Sequence, residues 1–308
     1  MSKGVLLLAH GAPDSTEDIR DFYMEMTGGK IPDDETIEKL TKRYEAIGGQ
    51  SPMLDIMQKK AQKLEELLGD EYQVYFGMRN SEPFIQDAIE EMDDNGITHA
   101  VAIPMVPQYS NLNTEKYFKA LDEANENIGE PVKFLKIQSW NTLPKYIDAL
   151  VERLEEGFAL PEFKNLEREE ISVIFTSFTL PETTLEHDDP YPDEISATTT
   201  AITARTGHAN WHFAYQGNGY LEEPGLGPDL LEKIKELAEN GESNILVCPA
   251  GFVIDDLDTL YDIDIEAKEV ARNKGINLKR VKTLNEHPKL IEGFAEMVQK
   301  ASIWKQMH

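Results

Sequence analysis

His10 follows the apolar run Val5 to Leu8 and is itself followed by Gly11 and Pro13. A histidine where a strand ends and its loop turns over a sheet edge is well placed for chemistry. Imidazole is a general base near neutral pH, with an ordinary pKa of about 6.5, and a common ligand of transition metals. The second candidate group is acidic: Asp258, Asp262 and Glu266 recur at intervals of four within VIDDLDTLYDIDIEAKEVA. Read as a helix with Asp255 or Asp256 at its start, that spacing places the three carboxylates on one face. Like charges so spaced cost a helix about 0.2–0.5 kcal/mol per pair, a cost that a bound cation offsets. Oxygen ligands suit Mg²⁺ or Ca²⁺, whereas a carboxylate joined by an imidazole also suits Fe²⁺ or Zn²⁺. In so acidic a chain the same stripe also reads as a solvated helix face.

Arg43 and Tyr44 stand directly before Gly48 and Gly49, after which Ser51 is a candidate N-cap and Pro52 a first helical residue. A guanidinium beside an aromatic ring suits an anionic planar ligand, while the Gly and Pro are explained by the turn alone. His187 lies in a loop by composition, and His208 and His212 flank Trp211 ahead of a strand; packing accounts for all three.

The elements that must position these residues alternate. Short apolar runs begin at Gly4, Tyr72, His99, Val132, Ser172, Asn210, Asn244 and Asn277, each with the composition of a buried strand. Amphipathic helices are predicted between them, among others Met53 to Leu68, Pro83 to Asp94, Pro144 to Glu156, Asp229 to Asn240 and Pro288 to Ala301. Such alternation predicts an α/β fold with parallel sheets covered on both faces. The halves also rhyme: LAHGAP and SFTLP close the first strand of each half, which makes Phe178 the counterpart of His10, and IPMVP and VCPAG close the third. Two Rossmann-like domains of four parallel strands, related by a pseudo-twofold, are therefore expected. The division is placed at residues 1–155 and 156–308 with a linker from Glu155 to Glu170, and the final helix is a candidate to pack back on the first domain. Ligands of open parallel sheets bind at the carboxyl ends of strands, so facing halves would line one cleft with these segments.

The chain has 308 residues with 30 Lys and Arg against 57 Asp and Glu, a formal charge of -27 that repels phosphate backbones and anionic lipid. Nucleic acid is thereby excluded as a natural partner. Cys248 is the single cysteine, which excludes an internal disulfide and a cysteine-based zinc or iron–sulfur site. No apolar run approaches the roughly 18 residues of a membrane span, and the N-terminus lacks a signal-peptide pattern. A soluble, cytoplasmic monomer is expected.

RYEAIGGQSP, SVIFTSFTLP with DPYP beyond it, PGLGPD and CPAGFVIDDLDTLYDIDIEAK together resemble the ferrochelatase family, in particular its coproporphyrin-type branch in Gram-positive bacteria. The resemblance runs from about Gly4 to Trp304. It implies two Rossmann-like domains and insertion of Fe²⁺ into coproporphyrin III or protoporphyrin IX in haem biosynthesis, with a small-molecule tetrapyrrole and a divalent metal as partners. It further implies that Arg43, Ser51 and Tyr117 contact the porphyrin and that Asp258 occupies the position of the family's active-site glutamate. Asp262 and Glu266 match an outer metal-binding stripe, a place for Mg²⁺, and no tightly bound cofactor is implied. His10 stands at the position of a metal-contacting tyrosine. The chain departs from the family where the signature histidine is replaced by Phe178, where Thr27 and Gly28 replace basic residues near the propionates, and where Asp256 and Gly225 replace a histidine and a tryptophan. LAHG also resembles the strand-end histidine segment of the small sirohydrochlorin chelatases. The reading that follows is a chelatase whose base and metal ligand is His10, with Asp258 as second catalytic residue, both also metal ligands, and with Phe178 as an aromatic platform for the macrocycle. The alternative is a paralogue that binds porphyrin or haem and inserts no metal.

Overall fold

The computed structural model describes residues 3–217 and 224–301, so Trp304 lies outside the described residues. Strands β1 (Lys3–Ala9), β2 (Tyr72–Met78), β3 (His99–Pro104) and β4 (Lys133–Lys136) form a parallel sheet in the order β2-β1-β3-β4. Strands β5 (Ser172–Phe178), β6 (Trp211–Gln216), β7 (Asn244–Cys248) and β8 (Asn277–Arg280) form a second in the order β6-β5-β7-β8. The two orders are the same, position for position, so the chain carries duplicated Rossmann-like, chelatase-type sheets.

The helices are α1 (Ile19–Met26), α2 (Asp34–Ala46), α3 (Met53–Leu68), α4 (Ile85–Asp94), α5 (Thr114–Asn127) and α6 (Pro144–Phe158). They continue as α7 (Tyr191–Thr206), α8 (Leu230–Glu239), α9 (Leu257–Leu260), α10 (Lys268–Asn273) and α11 (Pro288–Lys300). Local chemistry sets their starts. Asp33 accepts from the Thr36 backbone N–H at 2.7 Å ahead of α2, and Asp229 from that of Leu231 at 2.8 Å ahead of α8. Burial does the rest: Leu6, Leu8, Ala100 and Ala102 pack against Ile85, Ile89, Phe118 and Leu121 of α4 and α5. Full burial of each large aliphatic chain contributes about 1.5–3 kcal/mol.

The chain divides into two units. One runs through Trp140 and resumes at Asn285; the other is Asn141–Leu284. The expected boundary at residue 155 is thus corrected to an earlier point, for a physical reason. Helix α6 packs on β7 and α7, and the Tyr146 hydroxyl donates to the Ala250 carbonyl, so this helix belongs to the second unit. The expected linker lies within that unit as well, held by the Arg168–Glu155 ion pair and by Lys279 to Glu162 at 2.6 Å. Helix α11 packs on α3, and Phe294 meets Trp140 edge-on at 4.9 Å, which ties the last described segment to the first unit.

Candidate functional site

In the first unit the site is built at the carboxyl ends of β1 and β2. The strands run in register from Lys3 opposite Tyr72 to Ala9 opposite Met78, and this register carries His10 on to Arg79 and Asn80. The Arg79 backbone N–H donates to Ala9 O and that of Asn80 to His10 O, both at 3.1 Å. The Asn80 amide Nδ2 donates to the same His10 oxygen at 2.8 Å and lies 3.1 Å from His10 Nδ1. Gly11 makes the following turn at φ 96°, where a Cβ would stand 2.7 Å from Ser81 Oγ. Phe22 meets the His10 ring edge-on at 6.1 Å between centroids.

Burial first, then the charges of Arg79 and Lys116, lower the His10 pKa to about 4. The expectation of a base poised near neutral pH is therefore corrected. The ring is neutral at pH 7, the state a metal requires, and it is a weak proton acceptor. Tyr117 is buried on α5 with the Arg79 guanidinium 5.1 Å from its ring centroid, so it belongs to the same group.

Arg43 is half-buried near the end of α2, followed by the expected turn, in which Gly48 N–H donates to Glu45 O and Gly49 N–H to Tyr44 O. Ser51 precedes α3, and its hydroxyl accepts from the Met53 N–H at 3.1 Å, while helical geometry begins at Met53, one residue beyond Pro52.

In the second unit Phe178 ends β5 opposite Gln216 of β6. Phe178 packs against the cluster of Leu180, Tyr191, Tyr215 and Leu226, and its backbone carbonyl accepts from the Tyr191 hydroxyl at 2.8 Å. Gly251 follows β7, with its N–H on Thr176 O at 2.9 Å and no room for a Cβ beside the Ser177 hydroxyl. Gln216 Nε2 donates to the Asp258 carbonyl at 2.7 Å. Its Oε1 is buried and has no hydrogen-bond partner among the described residues. A buried acceptor left unpaired costs about 1–3 kcal/mol, so this oxygen is a place for a donor from a ligand or water.

The acidic segment is not one α-helix. After α9 it makes a π-helical turn over Asp262–Ala267, in which Glu266 N–H reaches Tyr261 O at 3.0 Å, and then resumes as α10. A buried series, Ile263, Ala267 and Ala271, advances by the same interval of four as Asp258, Asp262 and Glu266. A turn wider than 3.6 residues keeps both series in line. Asp262 is buried, Asp258 half-buried and Glu266 exposed. Arg280 binds the two neighbouring carboxylates, Asp264 at 2.6 Å and Asp255 at 3.2 Å. Burial works to raise the Asp264 pKa, but the hydrogen bond and charge of Arg280, helped by Lys268, hold it below its ordinary value. Among the described residues no group of three or more His, Cys, Asp or Glu comes together to hold a metal ion. His208 Nε2 pairs with Asn210 O at 2.8 Å, as a packing residue does.

A family model described as ferrochelatase matches residues 2–302. The chain belongs to the ferrochelatase family. It is 36% identical over 292 residues to a ferrochelatase of Herpetosiphon aurantiacus, covering 94% of this chain and 95% of that protein. It is 35% identical over 304 residues to the coproporphyrin III ferrochelatase of Bacillus subtilis, covering 96% and 97%. Among solved structures, the SirB protein of Bacillus subtilis with Fe³⁺ superposes with a TM-score of 0.61 at 12% identity, covering 99% of this chain and 98% of that one, a likeness of fold. This ferrochelatase-family chain therefore has His10, Arg79, Asn80 and Tyr117 grouped in one unit, and Phe178, Gln216 and Asp258 in the other. Arg79, Asn80 and Gln216 were not singled out by sequence. Their one signal is position, at strand ends next to His10 and Phe178 in register.

Among the described residues no helix is long and apolar enough to cross a membrane.

Proposed function

We propose that the chain is a tetrapyrrole metallochelatase that inserts Fe²⁺ into a porphyrin, coproporphyrin III or protoporphyrin IX, in haem biosynthesis. The observation that carries this reading is His10, a neutral imidazole at the end of β1 in a family member whose position 178 is phenylalanine. Phenylalanine ligates no metal, so in this reading metal ligation passes to His10, while proton acceptance falls to Asp258. Insertion exchanges one Fe²⁺ for two pyrrole N–H protons. Asp258 receives the two pyrrole protons in turn and relays them to solvent, and Asp262 and Glu266 lead the cation inward, with Mg²⁺ as a further occupant of the stripe. Arg43, Ser51 and Tyr117 hold the porphyrin, and Phe178 offers a ring face to it.

His10 needs a free Nε2 lone pair to bind the metal. Half a turn of the Asn80 amide would present Oδ1 to Nδ1–H and leave that lone pair open. The His10 carbonyl would keep the Asn80 backbone N–H at 3.1 Å, so the exchange costs one hydrogen bond of about 1 kcal/mol and returns another.

The test is anaerobic incubation with Fe²⁺ and, in turn, coproporphyrin III, protoporphyrin IX and sirohydrochlorin, read by absorbance. Metalloporphyrin formed by wild type and reduced by roughly 10²–10⁴ in His10→Ala supports the reading. A Soret shift with no metal inserted establishes instead a porphyrin-binding protein.

A further inference from the structure

Arg280 ends β8, in register with Val247 of β7, and its side chain is only 10% exposed. Its guanidinium reaches two separate points of the acidic segment. Nη2 and Nε donate to Asp264 Oδ2 at 2.6 and 3.1 Å, and Nη1 donates to Asp255 Oδ1 at 3.2 Å. Each carboxylate is held by further partners: Lys268 pairs with Asp264 at 2.8 Å, and the Thr283 and Thr259 hydroxyls donate to Asp255 Oδ1 at 2.7 and 3.0 Å. Asp255 stands before α9 and Asp264 lies inside the π-helical turn, so the fork spans the stretch of chain that carries Asp258 and Asp262.

A π-helical turn is rare and needs something to hold it against the commoner α-helical register. Eight residues of ideal α-helix turn through about 800°, which would leave Glu266 about 80° round from Asp258. The wider turn, with Glu266 N–H on Tyr261 O at 3.0 Å, reduces that offset. We propose that Arg280 is a positioning residue that pins the π-helical turn to β8 and so keeps Asp258, Asp262 and Glu266 in line. What the aligned carboxylates do rests on the metal reading above. A planar guanidinium suits this role because its fork engages two carboxylates at once from a fixed point on a sheet. A role as a charge alone has the opposite sign: a cation beside a metal site repels the metal, and its removal tightens binding.

Backbone amide exchange, read by NMR, and Mn²⁺ affinity, read by EPR, are measured on wild type, R280Q, D264A and the double variant, each shown by thermal melting to be folded. The Glu266 amide is expected to exchange at least ten-fold faster in either single variant, relative to the Leu246 amide in the core of β7, which reports global unfolding. Because the two residues act as one device, the double variant should be no faster than the singles. Mn²⁺ binding should weaken at least ten-fold in both singles. If Arg280 acts only as a charge, R280Q tightens Mn²⁺ binding, D264A weakens it, the double returns toward wild type and Glu266 exchange does not change; that result overturns the proposal. D264A leaves Arg280 its bond to Asp255, so it carries the same test should R280Q fail to fold. If wild type binds no Mn²⁺, the metal reading of the stripe fails by itself, and Arg280 is judged on exchange: a faster Glu266 amide in a folded variant upholds its role, and an unchanged one overturns it.

Discussion

The Asn80 amide nitrogen lies 2.8 Å from the His10 carbonyl oxygen and 3.1 Å from His10 Nδ1. The carbonyl accepts only, so the near amide atom is the donor, and Nδ1 is then the acceptor of the neutral ring, with the proton on Nε2. Metal-ligating imidazoles show the reverse, an N–H on the far nitrogen given to an acceptor. Asn80→Asp supplies that acceptor and Asn80→Leu removes it. With Zn²⁺ as an air-stable probe, calorimetry should show binding tightened about ten-fold in the first and weakened about ten-fold in the second. Three equal isotherms would remove Nε2 from the metal site.

Lys60 on α3 is fully buried, with Met105 Sδ 3.8 Å from its ammonium nitrogen. Burial lowers its pKa from 10.5 to about 7, against an upward pull from Glu286. Between those two values the unfolded chain binds more protons than the native one, so this lysine makes stability rise with pH from about 7 toward 10.5 and imposes its full cost below 7. Lys60→Met should be more stable than wild type at pH 6.5 by about 1–4 kcal/mol, and the gain should shrink by pH 9.5. Urea unfolding at the two pH values checks this; a gain independent of pH would mean that the lysine is charged in the native state throughout.

Much of this architecture is legible in the sequence because buried parallel strands must be short, apolar and regularly interrupted. All eight runs are strands, and Met53–Leu68 is a helix with the bounds its pattern predicts. Half of the His10 environment was not legible. Asn80 is 70 residues from His10 in the chain, and only the register of β1 against β2 joins them. The depressed His10 pKa is equally a tertiary property, set by enclosure and by cations from two other elements. The π-turn was hidden for another reason: an interval of four fits an α-helical face nearly as well, and only the backbone, with Glu266 N–H on Tyr261 O, tells the two apart. The domain boundary misled because a polar stretch reads as a linker whether or not a neighbouring helix is docked, and α6 is docked on β7.

The acidic stripe makes a separate prediction. Arg280 binds the neighbouring Asp255 and Asp264, and the proposed function assigns Asp258, Asp262 and Glu266 to the cation. Replacing Asp262 by Asn and Glu266 by Gln together should weaken Mg²⁺ or Fe²⁺ binding about ten-fold while porphyrin titrations overlay those of wild type. Calorimetry with an unchanged metal isotherm would return the stripe to a solvated helix face.

The sharpest prediction concerns the exchange of histidine between the halves. Phe178 is packed with Leu180, Tyr191, Tyr215 and Leu226 and ends β5 at the place corresponding to His10 after β1. Phe178→His restores the residue of the family signature but trades apolar contact for a polar ring, a loss of about 1–3 kcal/mol that thermal melting should show. In a His10→Ala background, where insertion is expected to fall by roughly 10²–10⁴, the added Phe178→His should recover at least ten-fold of the rate. Recovery would come with a different pH profile. The new imidazole would pack with Leu180, Tyr191, Tyr215 and Leu226, surroundings other than those that lower the His10 pKa to about 4. A double variant that melts as a folded protein, binds porphyrin and inserts no more metal than His10→Ala alone would show that the function of the family histidine has not been transferred to residue 10.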